Sequence, residues 1–517
     1  MAKPSEKLAK SLEILHELQK RGVVAIRSAD LTRTHRERLT KNSFLQEVIK
    51  GWYIPARQDE TAGESTAWYA AFWAFCAAYL SHRKGKDWCL SPEQSLSLHV
   101  ENWTVPRQLL VRATKARNNI TALPYGTALL DSRASIPADR DIEEKEGLRL
   151  FSLPLALIEC SPRYFRQNPT DMRTALSMIR DASEVLDGLL AGGQSVVAGR
   201  LAGAFRNIGR NRIADDILRT MRAAGYDVRE IDPFEPQAPF ALLVRELTPY
   251  VNRIRLMWQV MREPIIERFP AAPGLPGNTH QYLKHVEAVY VTDAYHSLSI
   301  EGYRVSPELI ERVRSGKWNP DDENDREHRN AMAARGYWQA FQEVRKSVEK
   351  VLHGDNPGNV VDQDHGTWYL EMFAPSVTAG ILQPADLAGY RNERVYIRGS
   401  MHVPPSFQAV RDVMPAYFDL LRDETEPSVR VVLGHFMFVY IHPYFDGNGR
   451  MGRFLMNTAL ASGGYPWTVI STRERDHYMK ALEAASVVQN IVPFAEFLAK
   501  LVDDQMKGKS APEIPSS

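Results

Sequence analysis

Cysteine is scarce in this chain of 517 residues: Cys76, Cys89 and Cys160 are the only three, and they are widely spaced. So few thiols exclude a disulfide framework and a cysteine-built metal site, and they point to a reducing compartment. An excess of charge is lacking too. Sixty-four basic residues meet 63 acidic ones, for a formal net charge of +1. No global field therefore selects nucleic acid or anionic lipid, and any such contact must be local. Apolar runs are short. The longest, Ala67 to Leu80, falls below the roughly 20 residues that a spanning helix needs and reads as a buried helix. The charged amino-terminal residues lack the apolar stretch of a signal peptide. Internal repeats are absent, and low complexity is confined to the tail from Gly508 to Ser517. These absences lead to the expectation of a cytoplasmic protein that does not enter a membrane. What remains, 25% charged and 44% apolar residues, is ordinary globular composition with length for two to four domains.

Against that background one stretch stands out. His442-Pro443-Tyr444-Phe445-Asp446-Gly447-Asn448-Gly449-Arg450-Met451-Gly452-Arg453 gathers a base, a carboxylate, a glycine-bracketed amide and two guanidinia. Apolar residues 431–441 precede it and the periodic run 454–461 follows, so a helix, a polar loop and a second helix are expected. A proline disfavours αR geometry in the residue before it, which places His442 at the exit of the first helix. Gly447 and Gly449 permit positive φ and close backbone approach. Their amides and the start of the second helix can form an anion cradle. Asp446 offers a hard oxygen to Mg²⁺, which takes few protein ligands and relies on phosphate oxygens. Arg450 and Arg453, three apart, share a helical face and can both reach phosphates.

This string resembles the motif of the Fic family, H-x-F-x-(D/E)-G-N-G-R-x-x-R, with one departure at Tyr444. The resemblance implies a mainly α fold, an all-helical core over residues 240–510 carrying a β-hairpin flap. It also implies transfer of AMP from Mg·ATP to a Tyr, Thr or Ser hydroxyl of a target protein. His442 would be the base and Asp446 the metal ligand. Residues Gly447, Asn448, Gly449, Arg450, Met451, Gly452 and Arg453 would hold ATP, with Tyr478 at the adenosine.

Two upstream strings extend the likeness. Ser297-Leu298-Ser299-Ile300-Glu301-Gly302 closes a helical pattern from Thr279. Ser297 and Glu301 share a face, and Gly302 is a natural stop. A carboxylate at a helix C-terminus faces the negative end of the dipole and calls for a cation. The string resembles the Fic inhibitory motif (S/T)-x-x-x-E-(G/N) on a helix over about 285–302, whose implied partner is Arg453. Glu301 would then compete with the γ-phosphate for that arginine. Val395, Tyr396, Ile397 and Arg398, within about 390–405, alternate as a strand before a Gly399-Ser400 turn. They resemble the flap that holds the target by strand addition.

The rest of the chain carries less chemistry. Leu8, Leu12, Leu15 and Leu18 mark an amphipathic helix. Ser28 or Asp30 can cap a short helix around Leu31, and Arg33, Arg36, Arg38 and Lys41 form a basic run before the hairpin-like Gly51-Trp52-Tyr53-Ile54. Residues 1–60 thus read as a winged helix-turn-helix able to contact DNA phosphates through those four cations, or as a solvated docking domain. They loosely resemble the amino-terminal domain of AbiEi-type antitoxins, and the likeness extends through an α+β middle domain over 61–235. The proline-rich stretch 232–239 reads as a linker. Two further readings stay open: a DNA-binding regulator whose Fic-like region senses nucleotide, and an enzyme that removes AMP. A homo-oligomer is compatible with either.

Overall fold

The computed structural model describes residues 4–56, 64–234, 248–318, 325–509 and 511–515. Contacts divide the chain into two units, Met1–Arg253 with Tyr396–Val403, and Ile254–Val395 with Pro404–Ser517. The stretch expected as a linker falls largely outside the described residues, as does the expected helical start at Phe240.

The first unit begins with α1 (Pro4–Lys20), β1 (Ile26–Arg27), α2 (Arg33–Lys41), β2 (Leu45–Ile49) and β3 (Trp52–Pro55). The strands form an antiparallel sheet in the order β1-β3-β2, and Leu15, Ile26, Leu31, Leu39, Leu45 and Tyr53 close a small core. This region has one helix fewer than expected. Residues around Leu31 form a turn, because Asp30 accepts hydrogen bonds from both the backbone and the side chain of Arg27. The helix cap falls to Thr32, which accepts from the His35 N–H.

The middle region opens on α3 (Thr66–Lys84), where Trp68, Phe72 and Phe75 are fully buried. Next come β4 (Cys89–Leu90), α4 (Pro92–His99), β5 (Gln108–Ala113), β6 (Asn119–Ala122) and β7 (Ala128–Arg133). They make a sheet ordered β4-β5-β7-β6 with one parallel pair, β5 and β7. A hairpin, β8 (Ile142–Lys145) and β9 (Leu148–Phe151), precedes α5 (Leu153–Glu159), α6 (Pro162–Gln167), α7 (Pro169–Met178), α8 (Ser183–Ala191), α9 (Ser195–Asn207) and α10 (Asn211–Ala223). These helices share one apolar core.

The second unit is helical. Its elements are α11 (Pro249–Ile266), whose first residues belong to the first unit, then α12 (Thr279–Ala288), α13 (Tyr290–Ile300), α14 (Pro307–Arg314), α15 (Asp325–Leu352) and α16 (Pro357–Thr378). They are followed by α17 (Phe407–Asp423), α18 (Pro427–Ile441), α19 (Asn448–Gly463), α20 (Arg475–Val488) and α21 (Val492–Met506). The pattern expected as one helix from Thr279 breaks at Val289, so the string ending in Glu301 sits on the separate helix α13. Among the described residues no helix is long and apolar enough to cross a membrane.

Candidate active site

Helices α18 and α19 are apolar enough to be almost wholly buried, and that burial fixes the loop between them. His442 ends α18 with φ 54° and ψ 59°, a left-handed cap that Pro443 enforces by barring further helix. Its Nδ1 lies 3.2 Å from the Val439 carbonyl. A carbonyl only accepts, so Nδ1 carries the proton and Nε2 keeps its lone pair. Arg391 holds the loop from outside, donating from Nε to the His442 carbonyl at 2.8 Å and from its backbone N–H to the Pro443 carbonyl at 2.9 Å. Loss of hydration, with help from the Arg391 charge, pushes the imidazole down to about 4. It is therefore neutral at neutral pH, as a base must be.

The remainder of the loop is shaped by two amides and a ring. Asn448 exchanges hydrogen bonds with the Tyr444 backbone at 2.9 and 2.8 Å. The Tyr444 ring, 2% exposed, stacks on Tyr369 at 3.9 Å, so this tyrosine is a packing residue. Gly447 caps α19 with φ 78°. A side chain at Gly449 would collide with the Glu301 carboxylate. That carboxylate therefore lies over the amino-terminal turn of α19, where an anion is favoured by free N–H groups and the helix dipole.

Both arginines of the motif are buried, Arg450 at 1% and Arg453 at 4% exposure. Arg450 lies over the Phe373 and Tyr303 rings at 5.0 and 5.2 Å and meets Asp446 at 3.3 Å. Arg453 donates to Ser297 Oγ at 2.8 Å, to the Ser297 carbonyl at 3.0 Å and to Glu301 Oε1 at 2.7 Å. Its Nη1 and the Nε of Arg450 are buried with no hydrogen-bond partner among the described residues. Two unsatisfied donors beside a cradle for anions suit a polyphosphate, because unpaired buried donors are costly unless a ligand takes them. A cavity of about 300 Å³, lined by Glu301, Gly302, Tyr303, Arg304, Arg329, Asn330 and Asp446, adjoins.

The helix end that carries Glu301 is compensated twice. Its side chain meets Arg453, and Arg475 donates to the Ile300 carbonyl at 3.0 Å. Gly302 turns the chain with φ 88°. Asp446 is half exposed and accepts from the Gly447 N–H at 2.6 Å, leaving lone pairs for a cation. Among the described residues no group of three or more His, Cys, Asp or Glu could hold a metal ion.

Residues 372–460 match the Fic/DOC family. The chain carries a Fic domain. Curated relatives named "Protein adenylyltransferase Fic" include one from Nematostella vectensis, 26% identical over 48% of this chain, and one from Drosophila willistoni, 29% identical over 41%. The chain spans 56% and 39% of their respective lengths. A solved structure of Fic-1 from C. elegans is 19% identical with a TM-score of 0.38, covering 63% of this chain and 91% of that one.

Met451 is core, and Gly452 packs against Val439 with no room to spare. Tyr478, expected at the adenosine, is 2% exposed with its hydroxyl 2.7 Å from His435 Nε2. Val395–Arg398 is not a hairpin strand. It is extended and turns at Gly399, φ 70°, with no ladder partner among the described residues. In the basic helix Arg36 donates to the Ser28 carbonyl, Arg38 to the Lys7 carbonyl and Ser11, and Arg33 pairs with Glu37. Three of its four cations thus have internal partners. Sequence reasoning missed Arg391 and Arg475, whose contacts to the His442 and Ile300 carbonyls reach distant parts of the chain and leave no local pattern.

Proposed function

We propose that this protein transfers AMP from ATP to a hydroxyl group of a target protein and that Glu301 restrains the reaction. The observation that carries this reading is the grouping, in one loop and the helix turn after it, of His442, the α19 cradle under Glu301 and two buried, incompletely paired arginines. The names of the curated relatives support it.

In this mechanism the triphosphate lies along the amino-terminal turn of α19. The N–H groups there stabilise the innermost phosphates through preorganised donors. Arg450 and Arg453 orient the outer two. His442 Nε2 takes the proton of the incoming Tyr, Thr or Ser hydroxyl as its oxygen bonds to the α-phosphorus. The bond from that phosphorus to the β-bridging oxygen breaks, and pyrophosphate leaves. Asp446 would hold Mg²⁺, whose chemistry when bound is to neutralise the charge growing on the bridging oxygens.

With Glu301 on Arg453, the outer phosphates lose a cationic contact and the carboxylate repels them. A displaced α-phosphorus is out of line with the hydroxyl, and a misplacement of about 1 Å can cost on the order of 100-fold in rate. The test is labelling with ATP tagged on its adenine. His442→Ala should lose the label by roughly 100-fold or more with an unchanged melting temperature. Persistent labelling removes His442 as the base.

A further inference from the structure

The segment expected to receive the target is already engaged. Its stems stay with the Fic domain, where Arg391 binds the carbonyls of Glu393 and Pro405. Its tip, Tyr396–Val403, groups with the first unit. There Arg398 makes a two-pronged ion pair with Glu64, Nε to Oε1 and Nη2 to Oε2, both at 2.6 Å. The Gly399 N–H donates to Thr66 Oγ1 at 3.0 Å, and the Val105 N–H donates to the Met401 carbonyl at 2.9 Å. Met401 and His402 are buried, at 8% and 3% exposure. The receiving surface is itself braced, because Thr66 Oγ1 donates to Glu64 Oε1 and the Tyr125 hydroxyl donates to the Glu64 carbonyl.

From this geometry we infer that residues Glu64, Thr66 and Val105 form a clamp on the target-docking loop, a restraint separate from Glu301. The inference rests on the adenylyl-transfer reading. Strand addition needs free N–H and C=O groups along one edge of the loop. The clamp uses a donor at Gly399 and an acceptor at Met401, so an incoming target strand competes with the first unit for the same backbone. The bidentate pair sets the register of the tip, since a planar guanidinium matches a carboxylate in one orientation. Arg398 is two-thirds exposed while Glu64 is 11% exposed, so the pair is screened on one side and can release.

The test uses the full chain in a Glu301→Gly background, with and without Glu64→Gln and Thr66→Val. Hydrogen exchange is read at residues 396–403, and labelling of lysate proteins by adenine-tagged ATP is read in parallel. Exchange at Gly399 should quicken and labelling should rise by roughly two- to fivefold, the size expected for losing a half-exposed ion pair and one hydrogen bond. Unchanged exchange overturns the clamp. Faster exchange with equal or weaker labelling overturns its restraining role. A parent that labels nothing sinks the adenylyl-transfer reading instead, while the exchange arm still decides whether residues 64–66 hold the loop. Arg398→Ala approaches the contact from the other side. Its effect on exchange should not add to that of Glu64→Gln, and full additivity would overturn the pairing.

Discussion

Helices α2 and α19 each present arginines at helical spacing, yet they do opposite things with them. In α19 both guanidinia are buried beside an anion cradle, and each keeps one donor without a partner among the described residues. In α2 the guanidinia lie at the surface, and three have internal acceptors. Desolvation separates the two. A buried cation left partly unpaired is expensive, and a structure retains it where a ligand completes it. An exposed cation costs little and is compatible with many roles.

The strongest way to sharpen that contrast is to free a buried arginine. Glu301→Gly releases Arg453 to phosphate and should raise labelling by roughly tenfold or more, equivalent to about 1.4 kcal/mol of barrier. Unchanged labelling would mean that the Glu301–Arg453 pair is structural alone. The second comparison is in pH. Burial holds His442 near 4, so in the Glu301→Gly protein kcat/KM should stay level from neutral pH and fall only as the ring gains its proton close to that value. Removing Glu301 also removes a charge that favours the protonated ring, which moves the inflection lower still. An inflection at the ordinary histidine value of about 6.5 would place the ring in water.

Smaller effects are expected in α2. Arg38→Ala deletes hydrogen bonds to the Lys7 carbonyl and Ser11 Oγ and should lower the stability of the first unit by about 1–2 kcal/mol, read from its melting. Arg33→Ala with Lys41→Ala should change stability by less than about 0.5 kcal/mol. If this helix contacts DNA, the same double variant lowers the salt dependence of binding by about one unit of slope per lost phosphate contact. An unaltered slope would leave α2 as a docking surface.

Much of the Fic domain is legible in its sequence because its chemistry is local. The proline after His442, the glycines around Asn448 and the three-residue spacing of Arg450 and Arg453 each act through the backbone near them, and helix boundaries at Ile441 and Gly463 follow. Ser297 and Glu301 are legible through the resemblance of their string to the inhibitory motif, since their partner Arg453 is distant in the chain. The helix expected near Leu31 does not form, since the Arg27–Asp30 contact outcompetes local helix propensity. The flap strand fails for a different reason: alternation in a sequence cannot say whether a ladder partner exists. The contact of the Tyr478 hydroxyl with His435 is not legible either, because helical spacing places a side chain on a face without saying what that face covers.

The amino-acid sequence by itself determined the inventory: an imidazole at a helix exit, a carboxylate, a glycine-flanked cradle and two arginines, all within one loop whose shape short-range sterics dictate. Tertiary structure alone decided which charges are desolvated, that Glu301 lies over Gly449, and that Arg391 braces the loop. It also placed residues 396–403 among contacts more than 300 positions away in sequence. The physical reason is that burial and long-range pairing depend on which helices pack together, and no window of the sequence contains that information.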